Sequence, residues 1–307
     1  NGFPKRVGNI SGYNFNKLNG YQNFIKTEDF KKFCKNEICK FNIKNSKNII
    51  LVGDSHAASL LPGLFNFAKR NDKGFISSII PGCGFILNIN RVNKTTGKVN
   101  KSCSDHEQLK RLDLINKHKE SIVISFFRLP LIMEEDRFRS NLGYEGNFDD
   151  YIQNSDNSLD SKKNRQEYIS NNFQLTIKKL LASNHSLLII YPYPEVGVNV
   201  PEKLYNILRQ SFIHKKNYTY EKKIETDYDL FLNRTKSSFK TLDKITDKNI
   251  VRIYPHKYLC DNFVKNKCIT HNNKDLYYFD DDHPSTKGAE IINQQIIFEI
   301  KNKFQSN

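Results

Sequence analysis

The sequence predicts a three-layer α/β/α fold around a five-stranded parallel sheet. Three observations lead there. Five short segments, at 48–53, 75–80, 121–127, 186–191 and 249–253, are rich in Val, Ile, Leu and Phe. Strands buried on both faces need such runs, because neither face of a parallel sheet sandwiched between helices meets water. The stretches between them carry apolar residues at helical spacing, and strands alternating with helices favour a parallel sheet covered on both sides. With 307 residues, the chain is also long enough to bury a substantial core.

Taken in order, residues 1–45 read as a polar, Asn-rich extension, and the folded domain is expected at 46–307. The first apolar run ends in Gly53-Asp54-Ser55 and feeds a helix expected at 57–69. The second leads into Pro81-Gly82-Cys83-Gly84, a turn by its chemistry. The third stops at Arg128, and residues 131–165 follow as a polar insertion, read as a flap near the site. Within 165–182, Ile169, Phe173, Ile177, Leu180 and Leu181 share one helical face, and Tyr228, Phe231, Thr235, Phe239 and Leu242 repeat the pattern. A last helix is expected from Ser285 or Thr286, with Ile291, Ile292, Ile296 and Ile297 on it.

The formal net charge of +15 would attract anionic partners such as acidic glycans or lipid headgroups. The lysines are dispersed, however, and no recognition helix, zinc motif or aromatic-basic RNA motif is present, so no nucleic-acid partner is expected. No run approaches the ~20 apolar residues of a membrane span. The start Asn1-Gly2-Phe3-Pro4 lacks the charged and apolar regions of a signal peptide, as expected of a processed or excised piece. The six cysteines fall into sequence-local pairs: Cys34 with Cys39, Cys83 with Cys103, and Cys260 with Cys268. Proximity does not fix connectivity, and free thiols remain the alternative; three disulfides in an oxidising compartment are the favoured reading. No Cys-x-x-Cys or His-rich spacing suggests a metal, and neither metal nor cofactor is expected.

In open parallel sheets, sites lie beyond the carboxyl ends of the strands. Ser55 follows the first strand directly, while Asp280 and His283 precede the last helix on the same edge. A serine hydroxyl is a weak nucleophile until an imidazole takes its proton and a carboxylate fixes that imidazole. Gly53-Asp54-Ser55 alone would be an ordinary turn and helix cap; paired with Asp280-x-x-His283 it reads as an acyl-transfer site. Asp281 and Asp282 compete with Asp280 for the orienting role. His106, His185, His214, His256 and His271 have no partner motif and are expected in surface or packing roles.

Gly53-Asp54-Ser55 resembles the first block of the SGNH (GDSL-type) hydrolase superfamily, and Asp280-x-x-His283 resembles its last. The likeness is closest to the SGNH domains fused to acyltransferase-3 membrane domains in bacterial surface-glycan O-acetyltransferases. It rests on His56-Ala57, Pro81-Gly82-Cys83, the run from Tyr191 to Gly197, and the run from Tyr278 to Ala289, together spanning residues 34–295. The resemblance implies a flavodoxin-like SGNH fold, Ser55 as nucleophile, His283 as general base and Asp280 as its orienter. It implies oxyanion donors at the Ser55 amide and at Gly82 or Gly84, and substrate contacts from His56 and Arg128. The superfamily's third oxyanion donor, an asparagine in a Gly-x-Asn block, is missing from 124–130, where Arg128 stands instead. The implied activity is transfer of an acetyl group through an acyl-serine to a sugar hydroxyl of a surface polysaccharide or lipopolysaccharide. The acetyl group would be relayed from an upstream acyltransferase-3 membrane domain to which residues 1–45 connect. The implied location is the bacterial periplasm, as part of an inner-membrane protein, with contact to the membrane surface. A stand-alone carbohydrate acetylesterase and a non-catalytic glycan-binding module are the alternatives.

Overall fold

The computed structural model describes residues 13, 15–35, 38–156, 158–213 and 223–303. His214 and residues 1–12 thus lie outside the described part. In chain order the strands are β1 (Cys34–Lys35), β2 (Ile38–Phe41), β3 (Ile49–Gly53), β4 (Phe75–Ile79), β5 (Asn90–Asn93) and β6 (Ile122–Phe126). They continue with β7 (Asp150–Gln153), β8 (Ser186–Ile190), β9 (Glu225–Asp227), β10 (Ile250–Ile253) and β11 (Lys267–Ile269). The helices are α1 (Gly20–Phe24), α2 (Glu28–Phe33), α3 (Ser55–Arg70), α4 (Asp105–Asn116) and α5 (Leu129–Glu134). After these come α6 (Lys162–Ala182), α7 (Val200–Ile213), α8 (Tyr228–Asp243), α9 (His256–Leu259) and α10 (Thr286–Lys303).

The central sheet runs β1-β2-β4-β3-β6-β8-β10. All five expected strands form, and they are parallel to one another. The sheet nevertheless has seven strands, not five. β2 adds antiparallel to β4, and β1 adds to β2. These edge strands were hidden because Cys34-Lys35 and Ile38-Cys39-Lys40-Phe41 contain no continuous apolar run. The Cys34–Cys39 disulfide and the Cys39 N–H, which donates to Ser77 Oγ at 3.1 Å, hold them in place. Thus part of the 1–45 segment is built into the sheet.

Strand periodicity explains the layers. Ile49 and Leu51 face a core shared with Leu60, Leu64 and Phe65 of α3 and Ile292 and Ile296 of α10. Ile50 and Val52 face the opposite core, with Leu112 and Ile115 of α4 and Ile169, Phe173 and Ile177 of α6. Side chains alternate across a strand, so two buried faces give the unbroken apolar run read in the sequence. The other two disulfides, Cys83–Cys103 and Cys260–Cys268, also form, which leaves no free cysteine.

The 131–165 segment is structured. β7 within it pairs antiparallel with β5, and Arg91 Nε donates to Asp150 Oδ2 at 2.6 Å across that pair. Ile132, Met133, Phe138 and Ile152 are buried. Among the described residues, no helix is long and apolar enough to cross a membrane.

Candidate active site

β3 ends at Gly53 between β4 and β6, and the chain turns directly into α3. Asp54 caps that helix: its Oδ1 accepts the His56 N–H at 2.8 Å. Its Oδ2 accepts the Arg128 N–H at 2.9 Å, which ties the turn to the end of β6. Burial opposes the charge on Asp54, but His56 and the two amides hold its carboxyl below the usual range. Ser55 is thereby fixed as the first residue of α3, at the carboxyl edge of the sheet.

The loop before α10 brings the other groups. His283 Nε2 lies 2.7 Å from Ser55 Oγ, and His283 Nδ1 lies 2.8 Å from Asp280 Oδ2. Asp280 Oδ1 accepts the backbone N–H groups of Asp282 and His283, at 3.0 and 2.8 Å, so the carboxylate is locked to the loop it orients. The Phe279 ring stacks on the imidazole at 5.1 Å. Asp282 Oδ1 also reaches His283 Nδ1, at 3.0 Å. The imidazole is therefore gripped by two carboxylates where the family resemblance implied one. Burial disfavours the charged ring, but Asp282 first and Asp280 with it raise His283 to about 11.

A cavity of about 280 Å³ opens at this edge, lined by Ser55, His283, Gly82 and Gly84 and, from the insertion, by Arg137 and Phe148. Among the described residues, no protein acceptor takes the Gly82 or Gly84 amide. Among the described residues no asparagine lines the cavity, and the Arg128 amide, at the place of the missing Gly-x-Asn block, is spent on Asp54.

Two expected substrate contacts have other partners. His56 is 2% exposed, packs edge-on against Phe126 at 5.4 Å and lies 4.6 Å from the His283 ring; it has no surface to offer a ligand. Arg128 reaches the cavity but is 7% exposed, and its guanidinium is taken by carboxylates. Nε donates to Glu195 at 2.6 Å, Nη2 to Glu145 at 2.6 Å, and Nη1 lies 3.0 Å from Asp282. His56, Asp282 and His283 place ligand atoms within 4.8 Å of one another. That cluster does not suit a cation, because Arg128 already sits against Asp282.

Sequence reasoning missed Arg111 and Gln108 of α4. Arg111 is buried without a carboxylate partner, and burial lowers it to about 9 although Asp54 acts the other way. Its Nη2 donates to the Gly53 and Ser78 carbonyls at 2.8 and 3.0 Å, and its Nη1 to Cys83 O at 3.3 Å. Gln108 Nε2 donates to Gly84 O at 2.9 Å. Together they clamp the serine turn to the glycine turn. Arg111→Met would take the side-chain donor from three carbonyls, of which Gly53 O keeps the Ile80 N–H, and a loss of about 3 kcal/mol is expected in urea unfolding.

Residues 25–298 match the family described as SGNH domain, fused to AT3 (acyltransferase-3) domains. The chain belongs to that family. Among solved structures, this SGNH domain is similar to the periplasmic domain of a lipopolysaccharide acetyltransferase from Salmonella ser. Paratyphi A. Identity is 20%, with 85% of this chain and 86% of that one covered and a TM-score of 0.50. It is also similar to a GDSL-like lipase from Bacteroides thetaiotaomicron, at 13% identity over 84% of this chain and 90% of that one, with a TM-score of 0.40. No curated protein matches the sequence. At 20% identity the likeness to the Salmonella domain establishes the fold alone, the α/β sheet described above.

Proposed function

We propose that this SGNH domain is the O-acetyltransferase unit of a bacterial envelope protein, acting through an acyl-serine. The observation that carries the reading is the 2.7 Å contact from His283 Nε2 to Ser55 Oγ, with Nδ1 held by Asp280, at the mouth of a cavity. Ser55 Oγ attacks the acetyl carbonyl and His283 takes its proton. The tetrahedral oxyanion is met by the Ser55 amide and the Gly82 or Gly84 amide, and losing one such donor costs about 10²–10³ in rate. As the intermediate collapses, His283 protonates the leaving group. A sugar hydroxyl then attacks the acetyl-serine, His283 accepts its proton, and the departing Ser55 Oγ takes that proton back.

Fusion to acyltransferase-3 domains within the family supports a membrane domain as the source of the acetyl group. In this reading the segment before residue 25 leads from that domain, β1 and β2 belong to the sheet, and the SGNH unit does the chemistry in the periplasm at the inner membrane. The acceptor is a hydroxyl of a surface polysaccharide or lipopolysaccharide, a choice supported by the named activity of the Salmonella neighbour.

The test is intact-mass analysis after exposure to 4-nitrophenyl acetate, beside Ser55→Ala. One acetyl adduct on Ser55, absent from the variant and discharged faster by added sugar with formation of the sugar ester, is the expected result. Discharge to free acetate alone makes the domain an esterase. Identical slow nitrophenol release by both proteins, without an adduct, overturns the reading in favour of a glycan-binding module.

A further inference from the structure

Three sequence landmarks have no task in the acyl-serine mechanism, yet the fold brings them together. They are Arg128 after β6, Glu195 after β8, and Asp282 beside the histidine. Arg128 Nε bonds Glu195, its Nη1 lies 3.0 Å from Asp282 Oδ2, and Asp282 Oδ1 lies 3.0 Å from His283 Nδ1. Glu195 is itself anchored from α8, where Arg234 Nε donates to its Oε2 at 2.7 Å. Glu145, from the insertion, closes the ring at 2.6 Å from Arg128 Nη2. Arg128, Glu195 and Asp282 are all buried. The Arg128 guanidinium, removed from water, is compensated by these carboxylates, and removing one partner leaves the rest uncompensated.

We propose that Arg128 is a positioning residue acting through Asp282: it fixes this carboxylate as the second acceptor on His283 Nδ1 and offsets its charge, so that the imidazole can still release its proton. The proposal deepens the acyl-serine reading and rests on it. Two full carboxylate charges on one imidazole would lock it as imidazolium, and an imidazolium cannot accept the serine proton. Arg128 divides the attraction of Asp282 between two cations. Its own geometry is set by Glu195 and Glu145, so the insertion serves the histidine as well as the cavity. Arg128 therefore occupies the place of the missing asparagine with a different task.

All groups facing His283 enter this balance. Its own loop supplies Asp280, Asp281 and Asp282. α3 supplies Ser55 and His56, and His56 Nδ1 lies 3.5 Å from Asp54. Behind Asp282 stand Arg128, then Glu195 with Arg234, and Glu145 with Arg137, whose Nη1 is 3.8 Å away. His56 Nε2 lies 3.5 Å from Asp282 Oδ2, and Arg128 is the permanent cation nearest that oxygen, at 3.0 Å, so its removal leaves the carboxylate freer to stabilise the imidazolium. Removing the Asp282 charge does the opposite.

The test is the pH dependence of Ser55 acetylation by 4-nitrophenyl acetate, with the Ser55→Ala rate subtracted. Arg128→Gln is expected to move the rising limb to higher pH by about one unit, and Asp282→Asn to move it to lower pH. Arg128→Lys, which keeps the charge, is expected to slow the reaction and hold the midpoint. Shifts of Arg128→Gln and Asp282→Asn in the same direction, or slower rates of these two variants at unchanged midpoints, overturn the proposal. Should Arg128→Gln fail to fold, NMR titration of the His283 ring in Asp282→Asn and the unmodified chain decides: a lower midpoint in the variant supports it and an equal one overturns it. An absent Ser55 adduct in the unmodified chain would instead sink the acyl-serine reading, while the NMR titration would still judge the link from Asp282 to His283.

Discussion

Alanine at Ser55, at His283 or at both is expected to lower ester turnover by about the same factor, on the order of 10⁴. The two side chains act on one proton: Ser55 Oγ is 2.7 Å from His283 Nε2, and neither advances the reaction without the other. Once either is gone, only oxyanion donors and binding contribute, so removing the second changes little. The measurement is kcat/KM on 4-nitrophenyl acetate for the two single variants and the double. Losses that multiply would mean independent roles, and near-normal turnover in His283→Ala would remove the imidazole from the chemistry. The pH profile carries a second expectation. Asp282 and Asp280 raise His283 to about 11, so even with Arg128 drawing on Asp282 the basic form is the minor one at neutral pH. That form grows about tenfold per pH unit below the midpoint, so the acylation rate is expected to climb with a slope near one from about pH 6 to 9. A plateau beginning near pH 7 would show that the two carboxylates do not act on the ring together.

What the sequence disclosed follows from which interactions leave a pattern. β3, β4, β6, β8 and β10 are buried on both faces, so burial alone writes them as apolar runs. Gly53-Asp54-Ser55 and His283 were legible as motifs because each needs particular residue types at fixed spacing around a turn. β1 and β2 were not, since a disulfide and one serine hydroxyl hold Lys-bearing edge strands without a run of apolar side chains. Arg111 left no trace either: its partners are backbone carbonyls of Gly53, Ser78 and Cys83, which any residue supplies. The choice among Asp280, Asp281 and Asp282 could not be made by spacing alone. Only the folded loop shows Asp280 and Asp282 at the imidazole, and Asp281 lifted to about 6 by burial and then by its two neighbours. His56, open to substrate contact or local packing by its sequence, could not be placed for a related reason. Adjacency to Ser55 in sequence says nothing about the turn of helix that carries its ring into the core beside Phe126.

Gly53→Ala is expected to cost about 4 kcal/mol or more, enough to unfold much of the protein, whereas Gly97→Ala should cost about 1 kcal/mol. A Cβ on Gly53 would stand 1.8 Å from the Phe126 carbonyl oxygen and 2.8 Å from the Ala57 Cβ. Neither neighbour can yield cheaply. Phe126 is paired with Gly53 in the sheet and its carbonyl accepts the Asp54 N–H, while Ala57 sits in the first turn of α3. Gly97 provides the contrast: its φ of +63° disfavours a side chain, but nothing lies within 4 Å of an added Cβ. The comparison therefore separates backbone conformation from close approach. Urea unfolding of both variants reads the difference, and residual Ser55 acetylation in any folded Gly53→Ala protein reads how far the turn has moved. If the two substitutions cost the same, the tight contact of β3 with β6 is not what sets the serine on its edge. A large excess at Gly53 would mean that the glycine of the Gly-Asp-Ser motif is there for packing: without a side chain, it lets the strand reach β6 closely enough for Asp54 to bond the Arg128 amide and hold Ser55 under the imidazole.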